Sequence, residues 1–258
     1  MNHSQAQSEL VTLAARVTSA SRAADRWAGP GPREAQDNPR VTLVALDDPH
    51  FPHALRLIED PPPYLFVRGS IGHRNDEAAL AVVGSRNATA EGVRVAETVS
   101  AELASMGHTI VSGLAAGIDA AAHRGALAAQ GRTIAVVGTG IDRVYPASNA
   151  ELSSRIGDRG AVISQFDLGQ PPSKTTFPAR NVLIAGLTRA SLIVEMAERS
   201  GTRIEATIAR EQGKPVLLWE PLLGRESWAR RYATENLVYF VGSTASIAEA
   251  LRDGVPAA

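Results

Sequence analysis

The chain has 258 residues, 44% of them hydrophobic and 21% charged, with a net charge of −1. That balance supports a sizeable core, excludes disorder throughout, and excludes a uniformly basic protein that coats nucleic acid. Cysteine is absent, which removes disulfides, iron–sulfur clusters and thiol nucleophiles, and leaves a zinc ion only histidine and carboxylate ligands.

The first forty residues read as an appendage. Leu10, Leu13, Ala14 and Val17 recur at helical spacing within 8–24, which predicts one amphipathic helix. No secretory apolar core is present there, and no apolar run anywhere reaches the roughly 18 residues of a membrane span. Ala28–Arg40 is rich in glycine, proline and charge and reads as a tether. Residues 1–40 are therefore expected to form a helical arm and linker, and 41–258 the folded domain.

From Val41 onward short apolar runs alternate with helical stretches. Strands are expected at 41–46, 61–69, Leu80–Val83, Thr109–Ser112, Thr133–Val137, Ala161–Ser164, Ser191–Glu195 and Pro215–Trp219. Helices are expected at 50–58, near 90–106, 117–129, 148–156, 179–188 and 202–212, with a last strand and helix between Asn236 and Leu251. This alternation predicts βαβ units in an α/β domain with a parallel sheet, its ligands beyond the carboxyl ends of the strands.

Three strand-to-helix turns carry glycine: Gly84-Ser85-Arg86, Ser112-Gly113 with Gly117, and Gly138-Thr139-Gly140. Glycine there brings backbone N–H groups close to an anion, and a following helix N-terminus favours negative charge. The first helix is expected to be capped near Thr89. Standard nucleotide and hydrolase motifs fail: Arg143 replaces the third glycine of a dinucleotide fingerprint, and neither a P-loop nor G-x-S-x-G occurs. After a proline-rich loop, Lys174, Phe177 and Arg180 fall within seven positions, ahead of a helix expected to open at Pro178-Ala179-Arg180-Asn181. Two cations suit two phosphates, and Phe177 either stacks on a base or staples the helix.

The ordered set GSR (84–86), SGLAAGIDAAAH (112–123), GTGIDRVYPASN (138–149), KTTFPARN (174–181), IAGL (184–187) and ERSGTRIEATIAREQGKPV (198–216), led by HFPHALRLIEDPPPYLFVRG (50–69), resembles the DprA/Smf DNA-processing family over about 41–220. More loosely it is similar to the nucleotide-binding superfamily that includes the LOG proteins. The resemblance implies an extended Rossmann-like parallel sheet flanked by helices. It implies a cytoplasmic, dimeric, non-enzymatic protein that binds single-stranded DNA and loads the RecA recombinase in natural transformation, without cofactor, metal or membrane. Its DNA contacts carry over to Gly84, Ser85, Arg86, Ser112, Gly113, Gly117, Lys174, Phe177, Arg180 and Asn181. Arg86 is expected to meet a phosphate at a helix N-terminus, and Phe177 to stack.

The chain departs from the family pattern in three places. Gln165 stands where glutamate is common, and Val182 where arginine is common. Ser200-Gly201-Thr202-Arg203-Ile204-Glu205-Ala206 replaces S-G-S-L-x-T-A. Its G-T-x-x-E resembles the LOG branch and offers Arg180 and Glu205 as an alternative catalytic pair for cleaving a nucleotide's glycosidic bond. Arg199-Ser200 stand where that branch has two glycines. About forty residues follow the match, so the winged-helix region of many relatives is expected to be missing. Asp119 and His123 stand i, i+4 on one helix, where Asp119 is expected to shape the loop rather than hold a metal. His50 and His53 read as surface residues. Trp219, Trp228 and Tyr232 read as core or, with Leu222 and Leu223, as a dimer face, core being favoured.

Overall fold

The computed structural model describes residues 40–197 and 200–253. The expected arm at 8–24 and almost all of its tether lie outside the described residues. Among these residues nine strands form one sheet, β1 (Thr42–Ala45), β2 (Tyr64–Gly69), β3 (Leu80–Val83), β4 (Ile110–Ser112), β5 (Thr133–Val136), β6 (Ala161–Ser164), β7 (Ala190–Ile193), β8 (Val216–Trp219) and β9 (Val238–Val241). Among the described residues nine α-helices accompany them: α1 (His53–Arg56), α2 (Ala90–Ser105), α3 (Ile118–Ala128), α4 (Ala150–Arg159), α5 (Thr176–Leu187), α6 (Gly201–Glu211), α7 (Glu220–Leu223), α8 (Ser227–Tyr232) and α9 (Thr244–Asp253). None of the described helices is long and apolar enough to cross a membrane.

The strand order is β1-β2-β6-β5-β4-β3-β7-β8-β9. Strands β3 to β8 are buried along their whole length, as unbroken runs such as Leu80-Ala81-Val82-Val83 require when helices cover both faces. Successive residues point to opposite faces. Ala81 and Val83 pack with Leu183, Ile184 and Ala206 from α5 and α6, while Leu80 and Val82 pack with Ala96, Leu103 and Ala121 from α2 and α3. Trp219, Trp228 and Tyr232 are buried as core; α8, which carries the last two, and α7 before it were not anticipated.

The expected α/β fold is present, its sheet parallel from β6 across to β9. One edge is antiparallel: β1 pairs antiparallel with β2, and β2 antiparallel with β6. The link between β1 and β2 contains one helical turn and a proline run rather than a crossover helix, so the chain returns beside itself instead of crossing a face. Helix α5 opens at Thr176, two residues before Pro178. Pro178 sits in its first turn, where a missing N–H breaks no helical bond.

Candidate nucleic-acid interface

The chain lays down β3, β4, β5 and β6 in one direction across the sheet, then returns to place β7 on the other side of β3. Ligands of open α/β sheets sit where the order reverses, beyond the strands' carboxyl ends. A cavity of about 450 Å³ lies there. Gly84, Ser85 and Arg86 reach it from the turn after β3, and Asp119 from α3. Lys174, Phe177, Arg180 and Asn181 come from α5 and its lead-in, and Thr202 and Glu205 from α6. A smaller cavity of about 90 Å³ adjoins it, shares Arg86, Ala115 and Phe177, and adds Gly113, Gly138, Tyr145 and Pro146.

Arg180 is 5% exposed, yet none of the ion pairs among the described residues includes it. Its Nη1 donates to the Val136 carbonyl at 2.7 Å, and its Nε has no partner. Burial pulls its pKa down, opposed by Asp119 and Glu205. Gly113 leaves room for the guanidinium, since a Cβ there would lie 1.7 Å from Nη1. The Asp119 carboxylate accepts the Ala115 N–H at 3.4 Å, shaping the β4 turn as expected. Burial raises its pKa, and Arg180 opposes the rise.

Glu205 is 2% exposed; its Oε1 accepts the Ser191 hydroxyl at 2.7 Å, and its Oε2 has no partner. Burial pushes its pKa from 4.5 up to about 7, with Ser191 opposing. Between those values the native state holds a proton that the unfolded chain has released, so stability falls as pH rises through that window and the loss is complete above about 7. Glu205→Gln stays neutral. Urea melts are therefore expected to match the parent at pH 5 and to show a more stable variant at pH 8.

The helix ends depart from expectation. Thr89 caps α2 by accepting the Gly92 N–H at 3.0 Å, as expected. The Glu195 carboxylate then accepts the Thr89 N–H at 3.1 Å and its hydroxyl at 2.6 Å. An internal acid thus occupies the helix end at which Arg86 was expected to meet a phosphate, and Arg86 offers its exposed guanidinium alone. Helix α6 differs: Ser200 makes no side-chain cap bond and the first turn holds no acid. Ser200, Gly201 and Thr202 all line the larger cavity.

The remaining expected residues divide. The Ser112 hydroxyl donates to the Val82 carbonyl at 2.7 Å, and Gly117, at φ +75°, packs against the Ser85 carbonyl where a Cβ would lie 2.2 Å away. Both residues brace the turns and line neither cavity. Phe177 is partly buried, with the Arg86 guanidinium 4.8 Å from its ring centre and the Tyr145 ring 6.0 Å away at 46°. His123 is fully buried with its Nδ1 2.7 Å from the Thr133 hydroxyl, and burial lowers its pKa to about 3. No metal-binding group of three ligands occurs among the described residues. Gln165 is buried, and Val182 packs on the core. Sequence reasoning passed over Glu195 and Tyr145. An acid just past a buried strand, and an aromatic in the third glycine turn, were the available signals.

The sequence profile of the DNA recombination-mediator protein A family matches residues 42–250. The chain belongs to that family. A Smf protein of Synechocystis is 43% identical over 184 residues, covering 70% of this chain and 46% of its own length. The chain thus spans about half the length of that member of the recombination-mediator family. The X-ray structure of DNA processing protein A (DprA) from Streptococcus pneumoniae superposes with a TM-score of 0.74 at 35% identity, covering 84% of this chain and 76% of that one. DNA processing protein A from Helicobacter pylori, whose structure concerns its single-stranded DNA binding mode, gives 0.71 at 24% identity, covering 82% of this chain and 95% of that one. The second likeness bears on the fold.

Proposed function

We propose that this chain binds single-stranded DNA in the crevice between β3 and β7 and passes it to a RecA-type recombinase during DNA uptake, working as a cytoplasmic homodimer. The DNA-binding domain of this reading is the unit that begins at Val41. Arg180 carries the reading. A buried guanidinium without a carboxylate partner costs several kcal/mol of desolvation, on the order of what charge burial demands in general, and a phosphate is the anion that offsets it. Arg86 and Lys174 at the rim would take neighbouring phosphates, and the open end of α6 would supply N–H donors. Its membership in the recombination-mediator family supports the reading.

Arg86→Glu and Lys174→Glu test it by fluorescence anisotropy with a labelled oligo-dT. Each is expected to weaken binding roughly tenfold or more and to make the salt dependence shallower by about 0.7 per lost phosphate contact. Unchanged affinity in both variants would remove the site assignment.

One observation favours a second reading, in which the chain hydrolyses nucleotides at the glycosidic bond. Arg180 and Glu205 line the same cavity, and a carboxyl with a pKa of about 7 is poised for proton transfer. Release of free base from nucleoside monophosphates, lost in Glu205→Ala, would support it; no release across a nucleotide panel would end it.

A further inference from the structure

Phe177 was expected to be the stacking ring, yet its surroundings leave it little free face. The Arg86 guanidinium lies 4.8 Å from its centre, and Gly138 meets its edge so closely that a Cβ there would stand 3.0 Å from Cδ1. The aromatic that remains open is Tyr145. It is 47% exposed, with one side packed on Phe177 at 6.0 Å. It lines the smaller cavity, beside Gly138, Thr139 and Pro146.

The loop that carries Tyr145 is tied at both ends. The Thr139 hydroxyl donates to the Arg143 carbonyl at 2.8 Å, and the Asn149 side-chain amide donates to the Leu114 carbonyl at 2.9 Å. An aromatic already held in place loses little conformational entropy when it meets a ligand. Every base has a π-face, so such a ring serves a strand without regard to sequence. The two cavities share Arg86, Ala115 and Phe177, so a ligand leaving one enters the other along a continuous wall.

We propose that the smaller cavity is a second nucleotide subsite, in which Tyr145 stacks on the base that follows the one held in the larger cavity. Phe177 acts as the support behind it, and Arg86 stands at the junction between the two units. This assignment rests on the single-stranded DNA reading.

Tyr145→Ala, Tyr145→Phe and Tyr145→Trp test it with oligo-dT. The alanine variant is expected to bind roughly tenfold more weakly, as loss of one stacked base implies, with an unchanged salt slope because no phosphate contact is lost. The phenylalanine variant is expected to bind within about twofold of the parent. The tryptophan variant is expected to bind at least as well as the parent, with the new indole's emission quenched as oligonucleotide saturates it. Parental affinity in the alanine variant, or an indole emission unmoved at saturation, would overturn the subsite while leaving the DNA reading standing. If the alanine variant fails to fold, the quenching arm still decides. A parent protein that binds no oligo-dT would take down both.

Discussion

Arg180→Met is expected to lower affinity for single-stranded DNA by at least about 30-fold, the lower end of what removing one member of a buried charge pair costs, while changing folding stability little. The two effects separate because Arg180 forms no ion pair among the described residues. Replacing a buried charge with an apolar chain of similar reach is often neutral or stabilising. Against that gain stands the Val136 carbonyl, which loses its 2.7 Å donor, a penalty of about 1–3 kcal/mol for an orphaned buried acceptor. Anisotropy and urea melts on the same preparation check both halves. A variant that binds normally would show that the guanidinium serves the fold and not a ligand.

Gly113→Ala should damage the same contact from the opposite side. Its new Cβ would fall 1.7, 2.3 and 2.5 Å from three atoms of the Arg180 guanidinium. The guanidinium is the far end of a flexible chain, so it swings away rather than forcing the sheet apart. The folding cost is expected to stay within the roughly 1–3 kcal/mol typical of overpacking. Binding is expected to fall by at least about tenfold, because a catalytic-scale displacement of about 1 Å already ruins a positioned contact. In the Arg180→Met background the same alanine should have almost no further effect on binding. That non-additivity is the signature of two residues acting through one group. Independent, additive losses would mean that Gly113 shapes the crevice by some other route.

The central strands were readable because each is a short, mostly apolar run between turn residues, as a strand buried on both faces needs. The edge was less readable: whether β1 and β2 run with or against β6 depends on pairing across about a hundred residues, not on their own pattern. The cations at 86, 174 and 180 converge because a parallel sheet brings its carboxyl-end turns together, and the alternation implied as much. The Glu195 carboxylate over Thr89 was hidden by a separation of 106 positions. Phe177 looked like the open aromatic because it lies between Lys174 and Arg180 in the chain. In space, Arg86 covers it and Tyr145 faces outward.

The central claim is that the crevice holds single-stranded DNA through a few phosphates and stacked bases. Fluorescence anisotropy of a labelled oligo-dT across a salt series, with a duplex as control, tests it most directly. Contact with two to four phosphates predicts a log–log slope of about −1.4 to −2.8, and weaker binding of duplex. No binding at low salt, or duplex bound as tightly as the single strand, would contradict the account.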